Sequence, residues 1–300
     1  METLLEYKQI IPKKIEEELS YNEDNSTVTF VKWAGGKSQL ISQLKPLFPK
    51  EFERYFEPFV GSGAVFFYIS QNYKIKYAML SDINEELIDA YKIIKDNVND
   101  LIKILRKHVN KHTVTPTPYY YKTRSQEIDL MSATERAARF IYLNKTCYNG
   151  LYRVNAKGKF NVPLGKLNGS AILQKDKLGK CSELLKKTVL KQMSFENVLK
   201  YAHSDDFVYF DPPYHPEISG RNFTSYQKGK FLEEEHKKLF EVFKKLDAKG
   251  CLCMLSNSNT KFIKDLYKDY CQSIVKARRM INCNGNGRGE TEELVITNYD

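Results

Sequence analysis

The chain has 300 residues, 42% of them hydrophobic, with a net charge of +10 and a pI near 9.1. That length buries one large core or two small ones, and the basic balance favours a polyanionic partner. The composition argues against several classes. No apolar run approaches a membrane span, the first residues lack a basic segment followed by an apolar one, and the six cysteines form no CxxC pair. A soluble, cytoplasmic protein with free thiols and no bound metal is expected.

Residues 1–26 are polar and charged and read as an extension, a helix or a loose arm, without identifiable chemistry. At 30–37 the sequence FVKWAGGK sets Gly35 and Gly36 ahead of helical spacing in Leu40, Ile41, Leu44 and Leu47. Backbone N–H groups there suit an anion, with Lys37 adjacent, although the GxxxxGK spacing of a phosphate loop is missing. Trp33, the single tryptophan, reads by itself as a half-buried core aromatic.

Residues 55–63, YFEPFVGSG, read as a strand entering a glycine turn, with a helix beginning at Ala64. Gly61 and Gly63 permit a tight turn and close approach of a ligand to the backbone. A second strand ends in Ser81-Asp82, where an acid can accept hydrogen bonds from ribose hydroxyls. Strand, glycine turn, helix, strand and acid make a nucleoside-cofactor half-site. The turn departs from GxGxxG, which weakens a dinucleotide-dependent oxidoreductase reading. A long helix follows over 84–106 with a break near 97–100, and His108 and His112 beyond it are expected on a solvated face.

Residues 116–200 interrupt the α/β rhythm. Helical pieces around Tyr119–Tyr121 and over 135–143 precede YNGLYRVNAKGKFNVPLG at 148–165, which reads as a β-hairpin turning at 155–158. Between 144 and 200 there are twelve Lys and Arg against three acids, nearly the whole excess charge of the protein. Basic residues interleaved with Tyr148, Tyr152 and Phe160 suit phosphate contact combined with groove or base contact.

The stretch DFVYFDPPY at 206–214 organises the rest. Phe207–Phe210 form a buried strand, and Pro212 and Pro213 end it, since proline cannot donate to a sheet ladder. Asp211, the Pro212 carbonyl and Tyr214 are thereby fixed at a strand's carboxyl end, where ligands of open α/β sheets bind. Two acceptors and an aromatic face suit a planar, amino-bearing ring. His215 is expected to be exposed, and residues 215–229 form a polar loop able to order over a substrate. An amphipathic helix (231–246), a strand carrying Cys251 and Cys253 on one face (251–256), a helix (260–270) and two strands (273–279, 293–299) around a Gly/Asn loop with Arg288 complete the chain. The expected fold is α/β, a doubly wound, mostly parallel sheet with an inserted recognition region.

FVKWAGGK, FEPFVGSG, SDINEELIDAYK, NGLYRVNAKGKFNVPLG, DPPY and TEELVITNY occur here in that order. In them the chain resembles the Dam-type DNA adenine-N6 methyltransferases, the α-ordered class, from about residue 30 to 299. The resemblance implies a sheet of the S-adenosylmethionine-dependent methyltransferase type. Residues 27–115 and 201–300 would form the catalytic domain, with 116–200 as the inserted target-recognition domain. S-adenosylmethionine would be held by Trp33 and Lys37 at its methionine end, by Pro58, Phe59, Gly61, Ser62 and Gly63 around it, and by Asp82 at the ribose, with Ile83 also binding the cofactor. Asp211 would lie between cofactor and target base, with Pro212 and Tyr214 completing the catalytic set. The hairpin positions implied to meet DNA are Asn149, Leu151, Arg153, Asn155, Lys159, Asn161, Pro163 and Leu167; many relatives carry an aromatic at the last. The resemblance implies methylation of the adenine of GATC in duplex DNA by base flipping, in a prokaryotic or phage-type setting, with a cognate restriction endonuclease as a possible partner. DPPY alone also fits an RNA or protein N-methyltransferase, and a noncatalytic DNA-binding module is the reading from another class.

Overall fold

A computed structural model describes residues 28–166, 172–216, 231–278 and 290–300. The expectations placed on 1–26, on Leu167, on most of the 215–229 loop and on the Gly/Asn loop with Arg288 fall outside these residues.

Seven strands form one sheet: β1 (Arg54–Glu57), β2 (Tyr77–Asp82), β3 (Thr188–Gln192), β4 (Phe207–Phe210), β5 (Leu252–Ser258), β6 (Cys271–Arg278) and β7 (Glu290–Thr297). Their order is β3-β2-β1-β4-β5-β7-β6, parallel except for β7, which runs antiparallel to both neighbours. The chain winds outward from β1 in one direction and from β4 in the other. The switch between these strands opens a crevice at their carboxyl ends.

The sheet is buried on both faces, which explains the unbroken apolar run of β4. Successive side chains alternate. Phe207 and Tyr209 join one core, with α1 (Ala64–Asn72), α2 (Glu85–Val114) and α5 (Lys175–Leu185). Val208 and Phe210 join the other, with α6 (Glu233–Asp247) and α7 (Lys261–Leu266). Cys251 and Cys253 share this second core, so the expected common face is correct. The helical spacing after Lys37 yields only short turns, Lys37–Gln39, Ile41–Leu44 and Lys45–Leu47; Pro46, which lacks the N–H a continuous helix needs, lies in the last of them.

The insertion is smaller than 116–200. β3 pairs with β2 from Thr188 to Gln192, and α5 packs on the first core, so these segments belong to the sheet domain. The lysine-rich composition concealed them. What remains includes α3 (Pro116–Arg124), α4 (Ala133–Thr146) and the segment following α4, gathered on a third core of Tyr120, Tyr142, Leu143, Cys147, Phe160, Val162 and Ile172.

α2 starts on the Asn84 side chain, which accepts from the Leu87 N–H, and it breaks its helical angles at Asn97 as expected. It then continues to Val114, so His108 and His112 lie inside it and are buried rather than solvated. His108 Nδ1 meets the Tyr119 hydroxyl at 2.8 Å and its ring stacks on Tyr142, while His112 Nδ1 meets the Tyr142 hydroxyl at 2.7 Å. The later helices α3 and α4 supply that cover, which local spacing could not reveal.

Burial holds His108 at a pKa of about 4 and lowers that of His112. The folded state keeps these imidazoles neutral, while the unfolded chain takes up protons below its ordinary value. Their contribution is therefore complete above about pH 6.5 and lost as the pH falls; for His108 the loss runs toward pH 4 and is on the order of 3 kcal/mol. Urea unfolding between pH 7.5 and 5 should show this decline. His108→Asn, which keeps an acceptor but cannot titrate, should be less stable at pH 7.5 yet show a flatter pH dependence.

Candidate active site at the carboxyl ends of the central strands

Glu57, Asp82 and Asp211 stand at or just beyond the ends of β1, β2 and β4, beside the switch point. The turn after β1 is tied down by its backbone: the Val60 N–H donates to Ser81 O at 3.0 Å and the Gly63 N–H to Val60 O at 2.7 Å. Asp82 accepts from the Gly61 N–H at 3.2 Å and the Asn84 N–H at 3.0 Å, so it shapes the turn as well as facing the cavity. Burial raises its pKa, opposed by those N–H groups. Gly61 and Gly63 have φ of 47° and 69°. A Cβ on Gly61 would come within 2.8 Å of the Trp33 ring, and one on Gly63 within 2.5 Å of the Tyr91 hydroxyl.

Beyond β4, Asp211 Oδ1 lies 2.7 Å from Lys37 Nζ. Lys37 is only 3% exposed and also donates to Gly35 O at 2.7 Å. Its ammonium sits over the Tyr214 ring, 4.8 Å from the centroid, and the Tyr214 hydroxyl donates to Glu293 Oε2 at 2.6 Å. Burial pushes the Asp211 carboxyl up to about 6, against the pull of Lys37; the Glu293 charge adds to the rise. Glu57, buried and bonded to the Tyr55 hydroxyl at 2.7 Å, is pushed up to about 8 by desolvation, which leaves it protonated at neutral pH.

One cavity of about 870 Å³ joins the two halves. Trp33, Lys37, Pro58, Phe59, Gly61, Ser62, Asp82, Ile83, Asp211, Pro212 and Tyr214 all line it. Gly63, named with them from the sequence, is absent from the wall; its N–H closes the turn beneath. A second cavity of about 960 Å³ shares Trp33, Gly35, Ser62, Tyr214 and Glu293 and extends to Lys32 and Asn149.

The family model of the D12 class N6 adenine-specific DNA methyltransferases matches residues 33–282. The chain belongs to this family. It is 43% identical over 284 residues to type II methyltransferase M.MjaIII of Methanocaldococcus jannaschii, covering 90% of this chain and 98% of that one. It is 41% identical to type II methyltransferase M1.LlaDCHI of Lactococcus lactis subsp. cremoris, covering 90% and 95%. Against the DNA adenine methylase of Escherichia coli K12 the identity is 33%, covering 89% and 93%. No helix among the described residues of this DNA methyltransferase is long and apolar enough to cross a membrane.

The hairpin of the methyltransferase is looser than its sequence suggests. Only two antiparallel bridges form, Cys147 with Leu164 and Val154 with Phe160. Pro163 lies in the strand position facing Tyr148 and has no N–H to extend the ladder. The candidate DNA-facing residues separate into distinct environments. Arg153 is exposed and donates through Nε to Asn161 Oδ1 at 2.7 Å. Asn149 is exposed in a left-handed conformation, and Pro163 is exposed. Asn155 spends its side-chain oxygen on the Lys157 and Lys159 N–H groups, which builds the turn. Lys159 pairs with Glu127 at 2.6 Å, and Leu151 packs against the third core. Of the three interleaved aromatics, Tyr148 alone is open, at 50% exposure; Phe160 is core, and Tyr152 stacks on Trp33 at 5.6 Å.

His215 is buried, not exposed. Its N–H donates to Asn257 Oδ1, its carbonyl accepts from the Ser258 hydroxyl, and its ring stacks on Phe262. These contacts pin the end of the DPPY corner to the end of β5. Sequence reasoning also missed Glu57, Phe195, Phe231 and Glu293 in the cavity wall. Glu57 lay inside a quoted motif, and an acid ending an apolar strand was the available signal. Phe195 and Phe231 pack with Phe59 only across the fold.

Gly63→Ala should destabilise the protein by about 1–3 kcal/mol through backbone strain and overlap with Tyr91. Pairing it with Tyr91→Phe, which removes the overlapping oxygen, should recover part of the loss in denaturant unfolding. Equal losses in both backgrounds would show that the overlap does not matter.

Proposed function

We propose that this chain transfers a methyl group from S-adenosylmethionine to N6 of adenine in duplex DNA, within GATC, with the adenine turned out of the stack. The observation that carries this reading is the single cavity shared by the Gly61–Asp82 turn and the Asp211–Tyr214 corner. Its volume of about 870 Å³ is of the size that takes a nucleoside-containing ligand. Asp82 would hold the ribose hydroxyls. Ile83, left 77% exposed beside it, and Phe195 offer apolar surface for the adenine ring of the cofactor, and Trp33 and the turn backbone would hold the methionine portion. When bound, this cofactor supplies an electrophilic methyl on a sulfonium.

The remaining chemistry belongs to the chain. An amino group inside a duplex is out of reach, so the base must leave the stack. The Asp211 carboxylate and the Pro212 carbonyl accept its two N6–H bonds, orient the nitrogen lone pair and offset the positive charge that develops on it. Lys37 lies on one side of the Tyr214 ring, so the base stacks on the other. Lys37 also favours the ionised form of Asp211 where burial and Glu293 oppose it, which supports a role for it at the transfer end of the cavity. Arg153, exposed on the basic hairpin, suits a guanine, whose O6 and N7 match a guanidinium. The hairpin's resemblance supports GATC. The higher identity to two relatives named type II methyltransferases supports a role as the modification enzyme beside a restriction endonuclease of the same site.

Methylating a random-sequence DNA pool and mapping modified adenines tests the target. Enrichment at GATC is expected, and modification at another motif overturns that assignment. Label from tritiated cofactor entering RNA or protein but not duplex DNA would overturn the substrate itself. Asp211→Ala should abolish transfer while leaving the fold and much DNA affinity. Arg153→Ala should relax sequence choice more than it weakens nonspecific binding; uniform loss on all sequences would make it a phosphate contact.

Activity should require ionised Asp211 and so fall as the pH drops through about 6. Lys37→Met removes the group that lowers that pKa. The acid limb of kcat should move to higher pH, with part of the rate recovered under alkaline conditions.

A further inference from the structure

β7 delivers a carboxylate that none of the motif roles above requires. Glu293 pairs in register with Ser258 of β5 and Val275 of β6, and it lines both cavities. Because β7 is antiparallel, its beginning reaches the same edge of the sheet as the carboxyl ends of the parallel strands. There Glu293 takes the hydrogen bond of the Tyr214 hydroxyl at 2.6 Å, a charge-assisted contact of the stronger kind. The ring is thus restrained twice, by the Lys37 ammonium over its face and by Glu293 at its far end. Without the second restraint, a side chain following two prolines keeps its backbone position but not its ring plane.

Building on the reading that Tyr214 stacks against the target base, we propose that Glu293 is a positioning residue for methyl transfer: it holds the Tyr214 ring in the plane that receives the extruded adenine. Its charge acts on the neighbouring acid as well. Asp211 is faced by Lys37, Tyr214 and Glu293, and across the β1 and β4 ends by Glu57, Tyr55 and Tyr209. Of these, Lys37 and the Tyr214 hydroxyl favour the ionised acid and Glu293 opposes it. Neutralising Glu293 therefore favours the carboxylate.

The test compares the full-length protein with Glu293→Ala, Glu293→Gln, Tyr214→Phe and the Tyr214→Phe/Glu293→Ala pair. Duplexes carry adenine for kinetics and 2-aminopurine at the target position for fluorescence. Glu293→Ala should lower kcat about tenfold, the scale of one well-placed hydrogen bond, with KM for S-adenosylmethionine within about twofold and an altered 2-aminopurine signal. Glu293→Gln keeps an acceptor, so it should retain most of kcat and shift the acid limb of the rate to lower pH. In the Tyr214→Phe background, Glu293→Ala should cost little more, since the bond is already gone. Unchanged kcat and fluorescence in Glu293→Ala, or the same loss with and without the tyrosine hydroxyl, would overturn the proposal. Should the alanine variant fail to fold in thermal unfolding, Tyr214→Phe decides it, since it removes the same hydrogen bond: unchanged kcat and 2-aminopurine fluorescence in that variant overturn the proposal equally. Absence of any 2-aminopurine response in the unsubstituted protein marks instead a failure of the base-extrusion reading.

Discussion

The site depends on one ion pair. The Asp211 carboxylate stands at the end of a fully buried strand, and that place disfavours charge. Lys37, itself almost wholly buried, resolves this conflict from 2.7 Å away. Each charge stabilises the other, since an unpaired buried ion is more costly than the pair, so losing either one lowers stability but need not abolish the fold. The same ammonium rests over Tyr214 and bonds to Gly35 O, so one cation organises the acid, the aromatic plate and the Gly35–Gly36 segment.

The sheet makes that arrangement possible. Parallel strands put their carboxyl ends along one edge, and the switch between β1 and β4 leaves room there. The single antiparallel strand then adds Glu293 from the opposite chain direction to the same edge. Negative groups at strand ends and a positive group on a loop give the cavity mixed polarity. Glu57, held neutral by burial, keeps the local charge from becoming more negative.

Most of the central sheet was legible because its signals are local. An unbroken run such as FVYF, stopped by two prolines, describes a strand and its end without reference to the rest of the chain. The glycine turn and Asp82 were legible for the same reason, and the backbone bonds between them support the pairing. What escaped depended on distant partners. His108, His112 and His215 are polar in sequence and buried in space because helices and rings far along the chain cover them. β3 hid because Thr188–Gln192 follows Lys186 and Lys187 and itself carries Lys191, a basic setting that masks its short apolar run. The hairpin's composition announced its charge but not its geometry, since Asn155 and Asn161 look identical as letters. One builds a turn and the other holds a guanidinium.

The small third core carries a consequence for how this enzyme can change. It is built from seven side chains distinct from those of the two large cores, and α4 reaches the glycine-turn segment through Asn144, which bonds to both backbone groups of Lys32. Exposed positions around Arg153 and Pro163 can therefore be exchanged without disturbing the packing that holds the acid and its lysine. Variation at these exposed positions is thereby uncoupled from the buried Lys37–Asp211 pair beneath them.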